Sequence, residues 1–391
     1  MTAAGAIGSQ TQLLAGGRVV TPEGILADAW VQILGERIVS VTAERPGVDA
    51  PVTDLEGAWL LPGYVDIHMH GGGGHSVADS PADMEAAVAF HRHHGTTATL
   101  VSLMTRPVDE LVEQLGWAAE LTRRGPTARA HVLGTHVEGP FLSERRCGAQ
   151  DGSHMIDPDP VALERMLTAG QGTVRMMTLA PELDGALELI RLLRERDVIA
   201  AMGHSDATYE QAVAAVAAGA NHATHLFNAM PPLHHRAPGL AGAALDLGIT
   251  CELINDGHHL HPAVIRLVCE LIACPVLVTD AIDATGVGDG TFLLGGQEVY
   301  VHDGQTRLAG DGALAGSTLT MDQALRRSVK DCGVRIELAA AAAATNPAKV
   351  LGLGDELGSI APGLRADLVV LDDDLQVTDV IAGGSSCADA G

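Results

Sequence analysis

Hydrophobic and polar positions fall into two textures along the chain. Over the first sixty residues, short alternating runs such as "LLAGGRVV", "AWVQILGERIVSV" and "TDLEGAWLLPG" are separated by Gly and Pro. Alternation of this kind between turn residues predicts strands of a small sheet. From Leu60 onward, nearly continuous apolar runs alternate with helix-length segments. That pattern predicts a parallel sheet covered by helices. Eight runs fit it: "LLPGYVDIHMH", "TATLVSL", "HVLGTHVEG", "VRMMTLAP", "VIAAMGHS", "HATHLFNA", "ITCELIND" and "PVLVTDA". Periodic segments such as "VDELVEQLGWAAELTRRG" and "HPAVIRLVCELIAC" lie between them. Eight strand–helix units over roughly 250 to 300 residues have the size of a (β/α)8 barrel.

After the eighth run, "TFLLGGQEVYVHDGQTRLAGDG" predicts an inserted hairpin, and "TLTMDQALRRSVKDCG" predicts a helix. The closing "LGSIAPGLRADLVVLDDDLQVTDVI" returns to short β-like runs. The expected class is α/β. A TIM-like barrel spans residues 62–356, and a small discontinuous β-sandwich is assembled from residues 1–61 and 357–391. About ten residues at each terminus read as loose.

Polar residues at the ends of the apolar runs carry the chemistry. His68 and His70 end the first run, Glu138 the third, His204 the fifth, His225 the sixth and Asp280 the eighth. In a barrel these strand ends open on one face, so the six side chains should converge. His68 and His70, two apart on a strand, point to the same side. Imidazole and carboxylate together suit a divalent cation such as Zn2+, with positions left open for water. The glycines that follow, Gly71–Gly74, allow backbone or ligand to approach closely. One histidine among eighteen is ordinarily structural, and "HRHHG" (His91, His93, His94) reads as the polar end of a helix. Six ligand-type residues at five strand ends are much harder to obtain by chance.

A net charge of −25 argues against nucleic acid and anionic membrane surfaces as partners, since both need a basic footprint. An anionic substrate would then need a local cluster of positive groups. The run "LAAAAAAA" from Leu338 is too short to span a membrane. The first residues lack the basic, then apolar, pattern of a secretion signal. Six cysteines without a CxxC pair suit a reducing compartment. A soluble cytoplasmic protein is expected.

The stretches "LPGYVDIHMHGGGG", "HVEGPFL", "GHSDAT", "THLFNAMPP", "PGLAGAALD", "VTDA" and "GALAGSTLTMD" resemble the amidohydrolase superfamily. Within it they are similar to the N-acetylglucosamine-6-phosphate deacetylase family, over nearly all of the chain from Gln12 to Ala382. The resemblance implies metal-dependent hydrolysis of the acetamide of N-acetyl-D-glucosamine 6-phosphate, giving D-glucosamine 6-phosphate and acetate. The setting would be amino-sugar catabolism and cell-wall recycling. It implies one metal on Glu138, His204 and His225, and a second on His68 and His70 that shares Glu138 and Asp280. One branch of the superfamily bridges its metals with a carboxylated lysine on the fourth strand. Here "VRMMTLAP" has no lysine, and Lys330 and Lys349, the only two, lie off the barrel strands; the bridge falls to Glu138.

By the same resemblance Asp280 is the general acid–base and His259 of "NDGHHLH" the oxyanion donor, while His258 and His261 read as loop and cap packing. The Asn228 side chain, the Ala229 N–H and Arg236 of "FNAMPPLHHRAPG" would hold the phosphate. In relatives this arginine reaches across a dimer interface, which implies a homodimer. The backbone at Leu314 and Ala315 would contact substrate. So would Gln150, where some relatives carry histidine. Cys147 sits between Arg146 and Gly148 in "SERRCGAQDGSHM", a basic setting that would lower a thiol's pKa. It would lie over the sugar, or else be an incidental loop cysteine. Other readings are an amidohydrolase acting on a cyclic amide or a different N-acyl compound, a non-catalytic sugar-phosphate scaffold, and a structural metal protein.

Overall fold

The computed structural model describes residues 10–125 and 129–387. Most of the terminal residues expected to be loose lie outside this range. Ala382–Cys387 does not, and it is ordered: Ser385–Ser386 pairs antiparallel with Val377–Ala382, and the Cys387 N–H donates to the Val380 carbonyl at 2.8 Å.

Eight strands hydrogen-bond in sequence order. They are β1 (Tyr64–Asp66), β2 (Thr96–Leu103), β3 (His131–Glu138), β4 (Val174–Leu179), β5 (Ile199–Met202), β6 (His222–Ala223), β7 (Thr250–Ile254) and β8 (Pro275–Val278). All seven pairings are parallel. Each strand is followed by a helix, α1 (Pro81–Arg92), α2 (Val108–Arg123), α3 (Pro160–Ala169), α4 (Ala186–Glu195), α5 (Tyr209–Ala218), α6 (Gly239–Leu247), α7 (Pro262–Leu271) and α8 (Met321–Lys330). Every residue of β2 and β8 is buried, which is why these runs read as continuously apolar rather than alternating. The helices start where their caps dictate. Ser80 accepts from the Asp83 N–H, and Thr208 with Gln211 closes a capping box on α5. No helix among the described residues is long and apolar enough to cross a membrane.

The ring closes at the ends that carry the predicted ligands. His70 N–H donates to the Ala281 carbonyl, Asp280 N–H donates to the His68 carbonyl, both at 2.9 Å, and the Thr279 hydroxyl donates to Asp66 at 2.6 Å. The segments bearing His68, His70 and Asp280 are thereby joined directly.

The glycine run has a backbone reason. A Cβ on Gly71 would lie 2.6 Å from the Asp283 nitrogen, and one on Gly72 would lie 2.7 Å from His91 Nε2. The segment after β1 is thus wedged between α1 and the loop after β8. One expectation fails here. His91 is not part of a polar helix end: it is fully buried, its Nε2 donates to the Gly71 carbonyl at 2.9 Å, and burial pushes its imidazole down to about 4. His93 is exposed, and His94 pairs with Asp322 at 3.3 Å.

The insertion after β8 has one strand more than the expected hairpin: Gly290–Leu294, Gln297–His302 and Gln305–Leu308 form an antiparallel three-stranded sheet. Leu294, Val299, Val301 and Leu308 face Met104 and Ile282, giving the insertion a core of its own beside the barrel mouth. Both chain ends build one further mixed sheet, in which Trp59–Pro62 pairs antiparallel with Leu368–Leu371. Its separate core includes Val19, Val31, Ile33, Leu60, Leu368 and Ile381.

Candidate active site

The six strand-end residues meet at the barrel mouth around one carboxylate, Glu138, which is 2% exposed. Its Oε1 lies 3.0 Å from His204 Nε2 and 3.1 Å from His225 Nε2, with His68 Nε2 at 3.6 Å. Its Oε2 faces His70 Nε2 at 3.3 Å. Asp280 Oδ1 lies 3.2 Å from His70 Nε2 and 3.5 Å from His68 Nε2. The donors therefore fall into two groups, His68–His70–Glu138 and Glu138–His204–His225, with Glu138 common to both.

Hydrogen bonds on the far ring nitrogens fix which nitrogen is free. His68 Nδ1 faces Glu252 Oε2 at 2.9 Å, His70 Nδ1 faces the Ser102 carbonyl at 2.9 Å, and His204 Nδ1 faces the Arg146 carbonyl at 3.0 Å. These partners only accept, so each Nδ1 holds the proton and each Nε2 presents a lone pair. Yet His68 Nε2 lies 3.1 Å from His70 Nε2, and His204 Nε2 lies 3.0 Å from His225 Nε2. Lone pairs converging on each other or on a carboxylate repel unless a cation lies among them. His68 and His70 meet each other and Glu138 in this way and His204 meets Glu138, while His225 Nδ1 has no partner among the described residues and that ring's tautomer is not fixed. The donor set fits a divalent metal in both groups.

The local electrostatics call for positive charge at the same place, which a proton supplies on these rings when no metal does. Burial works against charge on His68, but Glu252, Glu138 and Asp280 hold it well above the usual imidazole range. His70 is likewise opposed by burial and raised to about 9 by Asp280 and Glu138. Burial works against Glu138 and Asp280 as anions, yet the surrounding imidazoles, His68 foremost, hold both below the usual carboxylate range.

Three of the converging residues have left-handed backbones: φ is +47° at His204, +30° at His225 and +50° at Asp280. Such conformations cost about 1–3 kcal/mol each and persist only when their surroundings enforce them. Here the Ser143 N–H donates to the His204 carbonyl, the His225 N–H to Glu252, and the Ser317 N–H to the Asp280 carbonyl.

Glu252 is a functional residue that the motifs did not reveal. Fully buried on β7, it accepts from His68 Nδ1, from His222 Nε2 at 2.9 Å and from the His225 N–H at 3.0 Å. It ties the first donor group to the second from behind. A carboxylate inside the apolar run "ITCELIND" was the available signal, because a charge in a buried strand requires partners. His136 is the other. It bonds the Ser102 and Thr178 hydroxyls and stacks edge-on against His68, with ring centroids 4.6 Å apart.

A cavity of about 410 Å³ opens over these groups. Gln150, Asn228, Ala229, His259, Leu314 and Cys147 line it, as expected. Gln150 donates to Glu138 Oε2 at 2.7 Å and accepts from the Thr105 N–H at 2.8 Å, so its amide is fixed against the shared carboxylate. Asn228 Nδ2 donates to the His225 and Leu226 carbonyls. Ala229 has φ +50°, and its N–H finds no acceptor among the described residues. His259 Nδ1 donates to Asp256 Oδ2 at 2.7 Å; burial opposes its charge, but Asp256 raises it above the usual range. His258 is exposed and His261 caps α7, so both are structural as anticipated.

Two further expected contacts lie off the wall of this cavity: Ala315, expected through its backbone, and Arg236, expected to serve the site of a partner chain. The Ala315 side chain is fully buried in the core of the insertion, with Ala313, Leu314 and Gly316 on the cavity wall. Arg236 is exposed outside its own cavity and bonds His235 Nε2 at 2.7 Å. The basic setting of Cys147 is also quenched, because Arg145 and Arg146 both pair with Asp206.

The chain matches the family model described as "Amidohydrolase family" over residues 59–387. It is 38% identical over 376 residues to the N-acetylgalactosamine-6-phosphate deacetylase of Escherichia coli O157:H7, covering 95% of this chain and 97% of that one. It is 36% identical to the N-acetylglucosamine-6-phosphate deacetylase of Bacillus subtilis (strain 168), covering 94% of each. A solved structure of a mutant N-acetyl-D-glucosamine-6-phosphate deacetylase from Mycobacterium smegmatis, in complex with N-acetyl-D-glucosamine 6-phosphate, superposes with a TM-score of 0.91. It shares 42% identity, and the match covers 97% of this chain and 99% of that one. With a nearly closed barrel and paired His/Glu donor groups at its mouth, this chain belongs to the amidohydrolase family.

Proposed function

We propose that the chain hydrolyses the acetamide of N-acetyl-D-glucosamine 6-phosphate to D-glucosamine 6-phosphate and acetate. The observation that carries this reading is the pairing of Glu138, one oxygen toward each histidine group, with the ionised Asp280 at the floor of an open cavity. Zn2+ is the proposed ion, one or two per chain, and when bound it supplies Lewis acidity that acidifies water and polarises the amide carbonyl.

The chain's own residues do the rest. Asp280, below the usual carboxylate range although burial opposes its charge, takes a proton from the attacking water as the carbon–oxygen bond forms. It returns that proton to the amine nitrogen as the carbon–nitrogen bond breaks. His259 gives Nδ1–H to Asp256, so its Nε2 carries a hydrogen for the developing oxyanion only while the ring is protonated. Asp256 is what keeps it so. Asp256→Asn lowers the His259 pKa, and the ring loses its Nε2 proton at lower pH. The alkaline limb of kcat/KM is therefore expected to move to lower pH at saturating metal; an unmoved limb excludes His259 as a charged donor.

The phosphate falls to Asn228, Ala229 and Arg236. Among the described residues, Arg145 and Arg146 are the only lysines or arginines on the cavity wall, and Asp206 engages both. A dianion therefore needs a further cation. Arg236 is exposed and has no carboxylate partner among the described residues, which fits contribution to the site of a second copy in a homodimer. Arg236→Ala should raise KM for the phosphosugar by about tenfold or more without loss of metal. Mixed dimers of Arg236→Ala and Asp280→Asn chains should show, at half their sites, the low KM that Arg236→Ala lacks together with the turnover that Asp280→Asn lacks. No recovery would place Arg236 outside the partner's site.

All six cysteines are free thiols, in keeping with the cytoplasmic setting proposed. Similarity to the Escherichia coli relative favours a second reading, the C4 epimer N-acetylgalactosamine 6-phosphate. Acetate release from both phosphosugars and from unphosphorylated N-acetylglucosamine tests the assignment. A kcat/KM highest for the glucosamine compound supports it, and a reversed order replaces it with the epimer.

A further inference from the structure

A second cavity, of about 530 Å³, adjoins the reaction cavity. The two share His70, Met104 and Leu294 as a common wall. Beyond that wall the second cavity is bounded by Ala78 after β1, by the end of β2, and by Thr291 and Phe292 of the insertion after β8. It lies over β1, β2 and β8. In the eight-strand ring these stand opposite β5 and β6, the strands followed by His204, His225, Asn228 and Ala229.

That arrangement fixes where each part of a substrate goes. Under the deacetylation reading, on which this inference rests, the phosphate lies above the Asn228–Ala229 loop and the scissile carbonyl above the Nε2 cluster. The sugar thus occupies the β5–β6 side. The substituent on the other side of the carbonyl carbon runs past His70 toward Met104 and Leu294. An acetyl methyl ends at that wall, yet a space within the size range of small-molecule sites continues behind it. Met104 is unbranched and adaptable; Val77, Phe292, Leu293 and Leu294 give the space beyond it one apolar side, while Asp79, Arg106, Asp283 and Glu298 line the rest.

We propose that this second cavity is an acyl-chain pocket, and that the enzyme hydrolyses amino-sugar phosphates bearing unbranched N-acyl groups longer than acetyl, propionyl and butyryl among them. The chemistry is unchanged and needs no further reactant. Water adds to the acyl carbon, the carbon–nitrogen bond breaks, Asp280 carries one water proton to the amine, and a longer carboxylate leaves.

The test is kcat/KM for N-acetyl-, N-propionyl- and N-butyryl-glucosamine 6-phosphate, read as glucosamine 6-phosphate formed by the metal-loaded enzyme. It is run with the wild type, Ala78→Trp and Thr291→Trp. Both substitutions fill the second cavity away from the reaction cavity, and Thr291 lies on an exposed strand that tolerates bulk. The wild type is expected to process the butyryl compound within about tenfold of the acetyl one, and each variant to lower the butyryl rate by about tenfold or more with the acetyl rate nearly unchanged. The acetyl rate also reports that the variants fold. Acetyl hydrolysis with a hundredfold or so loss at propionyl overturns the pocket and leaves deacetylation standing. So does an equal loss on all three substrates in both variants. No hydrolysis of any of the three, with metal bound, overturns the deacetylation reading itself.

Discussion

Asp280→Asn is expected to lower kcat by about 10³, the scale of a lost general acid–base, while the protein stays folded and keeps its metal. The substitution is unusually clean. Asn has the shape of Asp, and at φ +50° it is among the few side chains that tolerate the left-handed backbone found there. The main-chain bonds that hold the residue, from its N–H to the His68 carbonyl and from the Ser317 N–H to its own carbonyl, do not involve the side chain. What Asn lacks is a carboxylate that can take and return a proton. Metal content measured beside kcat separates the two roles open to Asp280. Loss of rate with full metal marks the proton carrier, and loss of metal in proportion to rate marks a ligand.

Glu138→Gln is expected to act on metal first. Each of the two Glu138 oxygens faces a different histidine group, so one substitution removes a ligand from both. Gln keeps a single acceptor oxygen and places an N–H where a lone pair was required. The expected result is less than one equivalent of metal per chain and acetate release down by about 10³ or more, measured by elemental analysis and by rate at excess metal. Retention of a full equivalent with normal turnover would exclude Glu138 as the shared ligand. The variant also removes one of the carboxylates that raise His68 and His70, leaving Glu252 and Asp280 beside the first and Asp280 beside the second. Its imidazoles should therefore titrate at lower pH than the value of about 9 that Asp280 and Glu138 together give His70.

How much of this was legible in the sequence follows from the physics of each feature. The barrel was readable because strands buried on both faces leave continuous apolar runs, and helices between them leave a different period. The ligands were readable because a polar residue ending such a run has few structural reasons to be there. Glu252 escaped because it lies within a run and its partners, His68, His222 and His225, are far from it in sequence. The left-handed backbones at His204, His225 and Asp280 escaped because, although Asp and His are enriched among non-glycine residues at positive φ, only a small fraction of them adopt it. His91 was misread because helix position alone does not say which face meets the glycine run; Gly71 and Gly72 are glycine partly on account of the loop and helix they touch. The ion pairs of Arg145 and Arg146 with Asp206 were equally hidden, and they decide that two nearby arginines are not a ready phosphate site.

The proposed function requires the Glu138-centred histidine groups to hold a metal on which deacetylation of a phosphorylated amino sugar depends. It is tested most directly by stripping the protein of metal, adding Zn2+ back in known amounts, and following acetate release from N-acetylglucosamine 6-phosphate beside the unphosphorylated sugar. No release is expected without metal, and with Zn2+ release should rise to a plateau at one or two ions per chain and be confined to the phosphosugar. Undiminished release from the stripped protein, or equal release from both sugars, would contradict it.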